Sequence, residues 1–156
     1  MKFTKILVVF ILLLFFIGCF STQASYQSPS QAITVMTFNV ENLFDAKDDP
    51  EKNDATYLPK SLKQTQKHKN SCAKSRFKKW EKACLEWDWN ESLVKIKLQK
   101  IAGVIKEVRG GLGADVILFQ EVENISVLRR LRENHLKELG YKEVILIEGD
   151  DLRGID

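Results

Sequence analysis

The sequence predicts an α/β fold, with helices packed against a sheet, preceded by a segment that directs export. The order of the periodic segments is the first observation, and from residue 33 onward it runs strand, long loop, helix, strand, helix, strand. The second is an unbroken apolar run close to the N-terminus, and the third is a polar stretch between the first strand and the first helix. One domain of ordinary size is therefore expected at residues 33–156, with an insertion loop at about 46–86.

Residues 1–24 are predicted to be a signal peptide or a lipoprotein signal. Two lysines precede an apolar run, Ile6–Ile17, which is shorter than the ~20 residues that a membrane span needs. The small residues of Thr22–Ala24 are typical of a site for a general signal peptidase, whose cleavage would release a secreted protein. Phe16–Cys19 is similar to a bacterial lipobox, in which Cys19 would take lipid and anchor the chain to a membrane. Both alternatives predict an exported protein.

The charge of the chain is low overall but uneven. The net charge is +3, and without the two lysines of the signal it is about +1, so the charge balance does not indicate a general nucleic-acid binder. After a polar linker at 25–32, the stretch Lys60–Lys82 holds nine lysines and arginines against one acid, Glu81. This stretch is interpreted either as a solvated loop or as a basic lip that attracts an anionic substrate such as nucleic acid. Its aromatic residues either stack on bases or pin the loop to the domain. The aromatic residues in and beside it are Phe77, Trp80, Trp87 and Trp89.

Cys72 and Cys84 are predicted to form a disulfide. With Cys19 assigned to the signal, they remain as an even pair in a compartment where disulfides persist. They are close in sequence, so closing the loop between them costs little entropy. Two unpaired cysteines are one alternative, and half of a zinc site, with His68 as the nearby partner, is another.

The first half of the domain contains one predicted strand and one predicted helix. Ile33–Phe38 alternates and is rich in β-branched residues, which indicates a strand. Asp88–Glu91 has the acid-to-glutamate spacing of a capping box, which predicts the start of a helix. Apolar residues then recur at helical spacing through Val94–Val108, and Gly110-Gly111 is expected to stop the helix.

A strand, a helix and a further strand are predicted after the glycine pair. Val116–Phe119 is a continuous apolar run of the kind found in strands that are buried on both faces. An amphipathic helix follows, closed by Gly140, and Glu143–Glu148 is predicted to be a third strand. The residues expected to face inward from the helix are Leu128, Leu131 and Leu139.

Polar residues follow two of the predicted strands. Asn39 and Glu41 follow the first strand, and Glu121 follows the second. Ligand sites of open α/β sheets form where strands end, and a carboxylate there suits a hard divalent cation such as Mg²⁺. An amide such as that of Asn39 holds a phosphate oxygen, or orients a water, without adding charge. Taken singly, Asn39 is equally well explained as a turn former and Glu121 as an acid at a helix N-terminus.

Several strings resemble motifs of the endonuclease/exonuclease/phosphatase superfamily, whose fold is like that of pancreatic deoxyribonuclease. Ile33–Phe44 resembles the first motif, and Asp115–Val122 resembles the second. Gly140-Tyr141 followed by Asp151–Asp156 is similar to the entry into the next central strand. The resemblance implies an α/β fold that is the N-terminal half of a two-sheet sandwich flanked by helices.

The resemblance also implies roles for individual residues. Glu121 would be the principal ligand of Mg²⁺ or Mn²⁺, and Asn39 would help to hold the phosphate and the nucleophilic water. Glu41 lies where some members have a second acidic group near the metal. Arg153 and Asp156 match motif positions without an assigned catalytic role. The implied function is that of a metal-dependent phosphodiesterase acting on a phosphoester. The N-terminal signal adds export, and the basic stretch favours nucleic acid over a phospholipid or a sugar phosphate as the substrate.

The sequence departs from the family in its later motifs. The family completes its site with a Gly-Asp-x-Asn motif, a Ser-Asp-His motif and a further histidine, and the chain has none of these. The two histidines present, His68 and His135, do not match the family positions. The chain is therefore expected to be truncated and inactive on its own. The alternative from another class is a non-catalytic exported binding protein that uses the basic disulfide loop. No protein partner is indicated.

Overall fold

The computed structural model describes residues 32–155. The predicted signal at 1–24, including Cys19, lies outside the described residues, as does Asp156. The described residues form a mixed α/β structure, which confirms the predicted class. No helix within residues 32–155 combines the length and the apolar character needed to cross a membrane. The strands are β1 (Val35–Leu43) and β2 (Val116–Val122), and the helices are α1 (Gln66–Cys72), α2 (Lys78–Glu86), α3 (Glu91–Glu107) and α4 (Ile125–His135).

The two strands lie side by side and run parallel. Their register is regular from Val35 opposite Val116 as far as Asn39 opposite Gln120. The next pair is Leu43 opposite Val122, so β1 takes four residue steps where β2 takes two. Parallel strands need a crossover connection, and the chain between them includes α3. Both strands therefore end at the same edge of the sheet, with an irregular stretch in β1 at that edge.

The prediction that β2 is buried on both faces is wrong. Val116 and Leu118 are 44% and 50% exposed, whereas Ile117 and Phe119, which alternate with them, pack against the buried cluster. Within residues 32–155 the core covers one face of the sheet, so the apolar run has a solvent-facing side. The described residues contain a single two-stranded sheet, and the two-sheet sandwich stays a prediction.

The third strand predicted at Glu143–Glu148 is also wrong. This stretch carries no strand, although its side chains alternate as a strand's would. Val144 and Leu146 pack against the core, while Ile145 and Ile147 are 77% and 84% exposed. The apolar pattern predicts the alternation correctly, but a strand also needs a neighbouring backbone to bond with. Within the described residues, the sheet contains only β1 and β2, so no strand is hydrogen-bonded to this stretch.

The start of α3 differs in detail from the predicted capping box. Asn90 is the cap, and its side-chain oxygen accepts hydrogen bonds from the N–H groups of Ser92 and Leu93. Asp88 instead accepts a hydrogen bond from the Lys60 N–H at 2.7 Å, which ties the insertion to the helix start. At the other end, a 3₁₀ turn at Val108–Gly111 follows the helix, in agreement with the predicted glycine stop.

The insertion at about 46–86 is more ordered than the expected loop. It contains α1, α2 and two 3₁₀ turns, Ala55–Tyr57 and Lys60–Gln64. The two helices have only seven and nine residues, too few for a clear periodic pattern in the sequence. Tertiary contacts, rather than propensity, therefore hold them.

The predicted disulfide is present in the insertion. The sulfurs of Cys72 and Cys84 are 2.04 Å apart, with the Cα atoms at 5.6 Å. Both cysteines are buried, and His68 Nε2 lies 3.1 Å from the Cys72 sulfur. Because the sulfurs are bonded to each other, they are not available as the thiolate ligands of the alternative zinc site. The disulfide links the end of α1 to α2.

One buried cluster joins the sheet to the two long helices. It includes Leu43 and Val122, which are the paired residues at the strand ends and are 0% and 1% exposed. Full burial of an aliphatic side chain of this size stabilises the fold by about 1.5–3 kcal/mol. The packing of these two residues therefore fixes where the polar residues beside them lie. The helical members of the cluster include Val94, Leu98, Ile101 and Ile105 from α3 and Val127, Leu128 and Leu131 from α4.

Candidate functional site at the strand ends

The backbone at the ends of both strands has an unusual conformation. Glu41, Asn42 and Glu121 have φ angles of 54°, 63° and 64°, in the left-handed region that non-glycine residues rarely adopt. Only one other non-glycine residue of the described chain, Arg109, has a positive φ. Such residues cost of order 1–3 kcal/mol each and persist where neighbouring contacts enforce them, often at functional sites. The strain in this chain is therefore concentrated where the sequence predicts the site.

Two hydrogen bonds hold the predicted catalytic residues beside each other. The Glu41 N–H donates to Asn39 Oδ1 at 2.8 Å, and the Asn42 N–H donates to Glu121 Oε2 at 3.0 Å. The two acceptors are thus bound by consecutive N–H groups of the irregular stretch of β1. Asn39 also pairs with Gln120, the residue before Glu121. The structure therefore brings Asn39 and Glu121, 82 positions apart in sequence, to one place.

Glu41 lies at the same edge but is held differently. Its carbonyl oxygen accepts a hydrogen bond from Lys97 Nζ at 2.8 Å, and the residue is exposed. Burial lowers the pKa of Lys97, whereas the charges of Glu41 and Glu121 act in the opposite direction. Lys97, on α3, is therefore a positive charge next to both acids, although the sequence places no lysine or arginine beside either carboxylate.

Arg153 and Tyr57 complete the surroundings of Glu121. A side-chain hydrogen bond to Asp151 raises the pKa of Arg153, and the charge of Glu121 adds to this effect. Burial raises the pKa of Tyr57, and Glu121 contributes to that rise as well. Sequence reasoning missed Lys97 and Tyr57 as neighbours of the site, because they come from a helix and from the insertion. Arg153 matches a motif position of the resemblance, which was the one available signal.

A buried carboxyl network lies behind the strand ends. Glu123 Oε2 accepts hydrogen bonds from the Asp45 N–H at 2.6 Å and from Asn124 Nδ2 at 3.0 Å. Asn124 Nδ2 also donates to Asp45 Oδ2 at 3.3 Å, and Asp54 is buried close by. The network joins the residues that follow β1 to those that follow β2. It therefore acts as a brace for the two strand ends, and it was not predicted from the sequence.

Burial dominates the acidity of this network. Burial, with a smaller contribution from neighbouring acids, raises the pKa of Glu123 to about 8 and that of Asp54 to about 6. A carboxyl that stays protonated can still accept the hydrogen bonds described above through its carbonyl oxygen. Near neutral pH the brace therefore carries less negative charge than its composition suggests.

The raised pKa of Glu123 predicts a pH-dependent stability. Between pH 4.5, the ordinary pKa of this carboxyl, and a pH of about 8, Glu123 keeps its proton in the folded chain and loses it in the unfolded chain. The free energy of unfolding should therefore fall as the pH rises through this window. Urea denaturation across that range is the measurement. The Glu123→Gln variant keeps the acceptor oxygen and cannot ionise, so its slope with pH should be flatter. Equal slopes for the two proteins would contradict the assignment.

The donor atoms at the strand ends fit a hard divalent cation. Glu121 offers carboxylate oxygens, and the exposed Glu41 at the same edge is the candidate second acid. Mg²⁺ is commonly held through one or two carboxylates while it keeps several waters, so this small donor set suffices chemically. Within residues 32–155, the one group of three nitrogen, sulfur or carboxylate ligands close enough to share an ion is His68, Cys72 and Cys84. That group contains the disulfide, so the strand ends remain the better candidate.

Neither histidine of the chain contacts the strand ends. His68 is buried in the insertion, where its Nε2 lies 3.2 Å from the Cys84 carbonyl oxygen. His135 is the last residue of α4, and burial followed by the charge of Lys106 lowers its pKa. The described residues therefore place no imidazole at Glu121 or Asn39.

Comparison with known proteins gives one match. The family model described as endonuclease/exonuclease/phosphatase family matches residues 34–156. The match covers β1, the insertion, α3, β2 and everything after them. No curated protein and no solved structure matches the chain.

Proposed function

Because the chain belongs to the endonuclease/exonuclease/phosphatase family, we propose that it carries the metal-binding and phosphate-orienting part of a phosphodiesterase site, centred on the ends of β1 and β2. The observation that carries the proposal is the joint placement of Asn39 and Glu121 on consecutive N–H groups of a strained segment. Either residue alone has an ordinary structural explanation. An ordinary structural role does not explain why the two residues converge from two strands at an edge with three left-handed residues.

Each residue has a separate part in the proposed chemistry. Glu121 holds the divalent cation, Mg²⁺ or Mn²⁺, with Glu41 as the candidate second acid. When bound, such an ion supplies Lewis-acid stabilisation of charge on the phosphoryl oxygens. The Oδ1 atom of Asn39 is occupied by the Glu41 N–H, which leaves its amide N–H₂ group to donate to a phosphate oxygen. Lys97 and Arg153 add positive charge beside the acids and favour an anionic substrate.

The proposed site needs a group that removes a proton from the attacking water, and the described residues supply no histidine for this. Loss of a general base typically costs 10²–10⁴-fold in rate. We therefore propose that the 156-residue chain by itself is nearly inactive. This rests on the positions of His68 and His135, which are the only histidines of the sequence.

Export is proposed for the same protein. The signal at 1–24, with Cys19 as the lipid attachment site or with free secretion as the alternative, is supported by the disulfide in the insertion. Disulfides are common in exported proteins and rare in the cytosol. Nucleic acid is proposed as the substrate because the insertion carries nine lysines and arginines, against one acid, between Lys60 and Lys82.

Hydrolysis assays on plasmid DNA test the function. Two forms are compared, with Mg²⁺ and with EDTA: residues 25–156, and a form extended through any codons that follow Asp156 in the gene. We expect the 25–156 form to cut at least ~10²-fold more slowly than an extended form that contains the missing histidine motifs. DNA binding without metal-dependent cleavage by such an extended form would instead favour the non-catalytic binding protein. Comparable cleavage by both forms would contradict the proposed inactivity of the shorter one.

A further inference from the structure

A groove of about 840 Å³ lies between the insertion and the end of β1. One wall consists of α2 and the residue after it, and the other consists of residues next to the strand-end site. The polar and aromatic residues that line it include Asn42, Tyr57, Lys79, Trp80, Lys82, Glu86, Trp87 and Arg153. The groove therefore combines aromatic and cationic side chains in one cavity.

The aromatic residues around the insertion divide into two groups. Tyr57 stacks on the buried ring of Phe44, with centroids 4.1 Å apart, and Trp89 Nε1–H donates to the Phe44 carbonyl oxygen at 3.2 Å. These contacts pin the insertion to the end of β1. Trp80 and Trp87 make edge-on contacts, with Phe77 and Tyr57 respectively, and remain 51% and 52% exposed. Pinning explains the first group, but it does not explain why two tryptophans leave half of their surface open toward a groove.

The charges of the groove match a polyanion. Lys79 Nζ lies 5.8 Å from the Trp80 ring centroid, and Lys82 lines the same wall. Glu86 lines this wall as well and meets Lys82 at 3.8 Å, with both side chains exposed, so Lys79 is the less compensated of the two lysines. On the opposite wall, Arg153 lines the groove with its guanidinium paired to Asp151 at 2.7 Å. Aromatic faces flanked by cations are the arrangement that binds single-stranded nucleic acid.

The groove is continuous with the strand-end site. Asn42 lines it and donates its N–H to Glu121 Oε2 at 3.0 Å. Tyr57 and Arg153 line it too. A chain bound along the groove would therefore bring a neighbouring phosphate to Glu121 and Asn39.

We propose that this groove is a subsite for an unpaired nucleotide next to the scissile phosphate. The base stacks on Trp80 or Trp87, while Lys79 and Lys82 contact the backbone phosphates. Inside a duplex both faces of a base are covered by its neighbours, so stacking on a tryptophan requires a single strand or an opened end. The inference rests on the proposed function and makes it more specific: the preferred substrate is single-stranded nucleic acid.

Binding is measured in EDTA, so that cleavage does not interfere, with the form extended through any codons that follow Asp156. Anisotropy of a labelled single-stranded oligonucleotide is compared with that of a labelled hairpin duplex. The double variant Trp80→Leu/Trp87→Leu should lose at least ~10-fold in affinity for the single strand, and less for the duplex. Trp80→Phe/Trp87→Phe should keep the preference for the single strand, because a stacking face remains. An equal loss for both ligands, or no loss, would overturn the subsite.

The charge contribution has a matched control in the same insertion. Lys79→Gln/Lys82→Gln should weaken binding of both oligonucleotides, whereas Lys67→Gln/Lys69→Gln, which removes two exposed lysines that do not line the groove, should have a smaller effect. Exposed tryptophans beside lysines would also suit a membrane surface. Binding to phosphatidylglycerol vesicles in preference to the oligonucleotides would therefore overturn the proposal.

The test separates this inference from the function on which it rests. If metal-dependent cleavage is found and the tryptophan variants bind like the unsubstituted protein, the subsite is wrong and the phosphodiesterase stands. If the tryptophan variants lose single-strand binding and no cleavage is found, the subsite stands and the phosphodiesterase is wrong.

Discussion

Replacing Glu121 by glutamine should lower metal-dependent cleavage by the form extended through any codons after Asp156 at least ~10²-fold, because the proposed metal ion supplies several kcal/mol of charge stabilisation. The fold should be kept, since the glutamine amide oxygen can still accept the hydrogen bond from the Asn42 N–H. The measurement is the initial rate of cleavage of a labelled oligonucleotide over a range of Mg²⁺ concentrations.

A second glutamate provides the matched control for this substitution. Glu107 ends α3, is exposed and belongs to no ion pair of the described residues. Glu107→Gln removes the same charge and should leave the rate close to that of the unsubstituted protein. If Glu121→Gln also keeps that rate, while circular dichroism shows an intact fold, Glu121 is not the principal metal ligand.

Removal of the disulfide is expected to destabilise the insertion strongly. Cys72 and Cys84 are 12 residues apart. A disulfide that closes a loop of about this size stabilises the folded state by about 3 kcal/mol, because it lowers the entropy of the unfolded chain. The Cys72→Ala/Cys84→Ala variant should lose free energy of unfolding of that order. Urea denaturation followed by tryptophan fluorescence is suitable, since all three tryptophans lie in the insertion or directly after it.

A reducing agent gives the control for the disulfide. It should destabilise the unsubstituted protein and leave the alanine variant unchanged, because the variant has no bond to reduce. An alanine variant as stable as the oxidised protein would show that packing around His68 and the 3₁₀ turns suffices to hold α1 against α2.

The fold is predictable from sequence where one local pattern determines the structure. Val94–Val108 shows helical spacing strong enough to give α3, and Cys72 with Cys84 gives the disulfide by simple parity. The prediction fails where structure depends on a distant partner. Glu143–Glu148 has the alternation of a strand but no neighbouring strand among the described residues, and the composition of Val116–Phe119 does not indicate that one face is exposed.

The site is predictable only in part for the same reason. Asn39 and Glu121 are found because they follow apolar strands and lie in strings that resemble family motifs. Lys97 has no such signal, because a lysine on an amphipathic helix is ordinary until its Nζ is seen to reach the Glu41 carbonyl oxygen. Glu123 is likewise an unremarkable acid in the sequence. Its burial and its bond to the Asp45 N–H arise only when the two strand ends meet.

Paramagnetic broadening of backbone amide resonances by Mn²⁺ tests the central claim, that the strand ends form the metal site. It detects weak binding, so residues 25–156 can be used even if that form does not cleave DNA. The resonances of Glu41, Asn42 and Glu121 should broaden first, Glu121→Gln should abolish the effect, and Glu107→Gln should preserve it. Broadening centred on the buried network around Asp54, or unchanged broadening in Glu121→Gln, would contradict the assignment of the site.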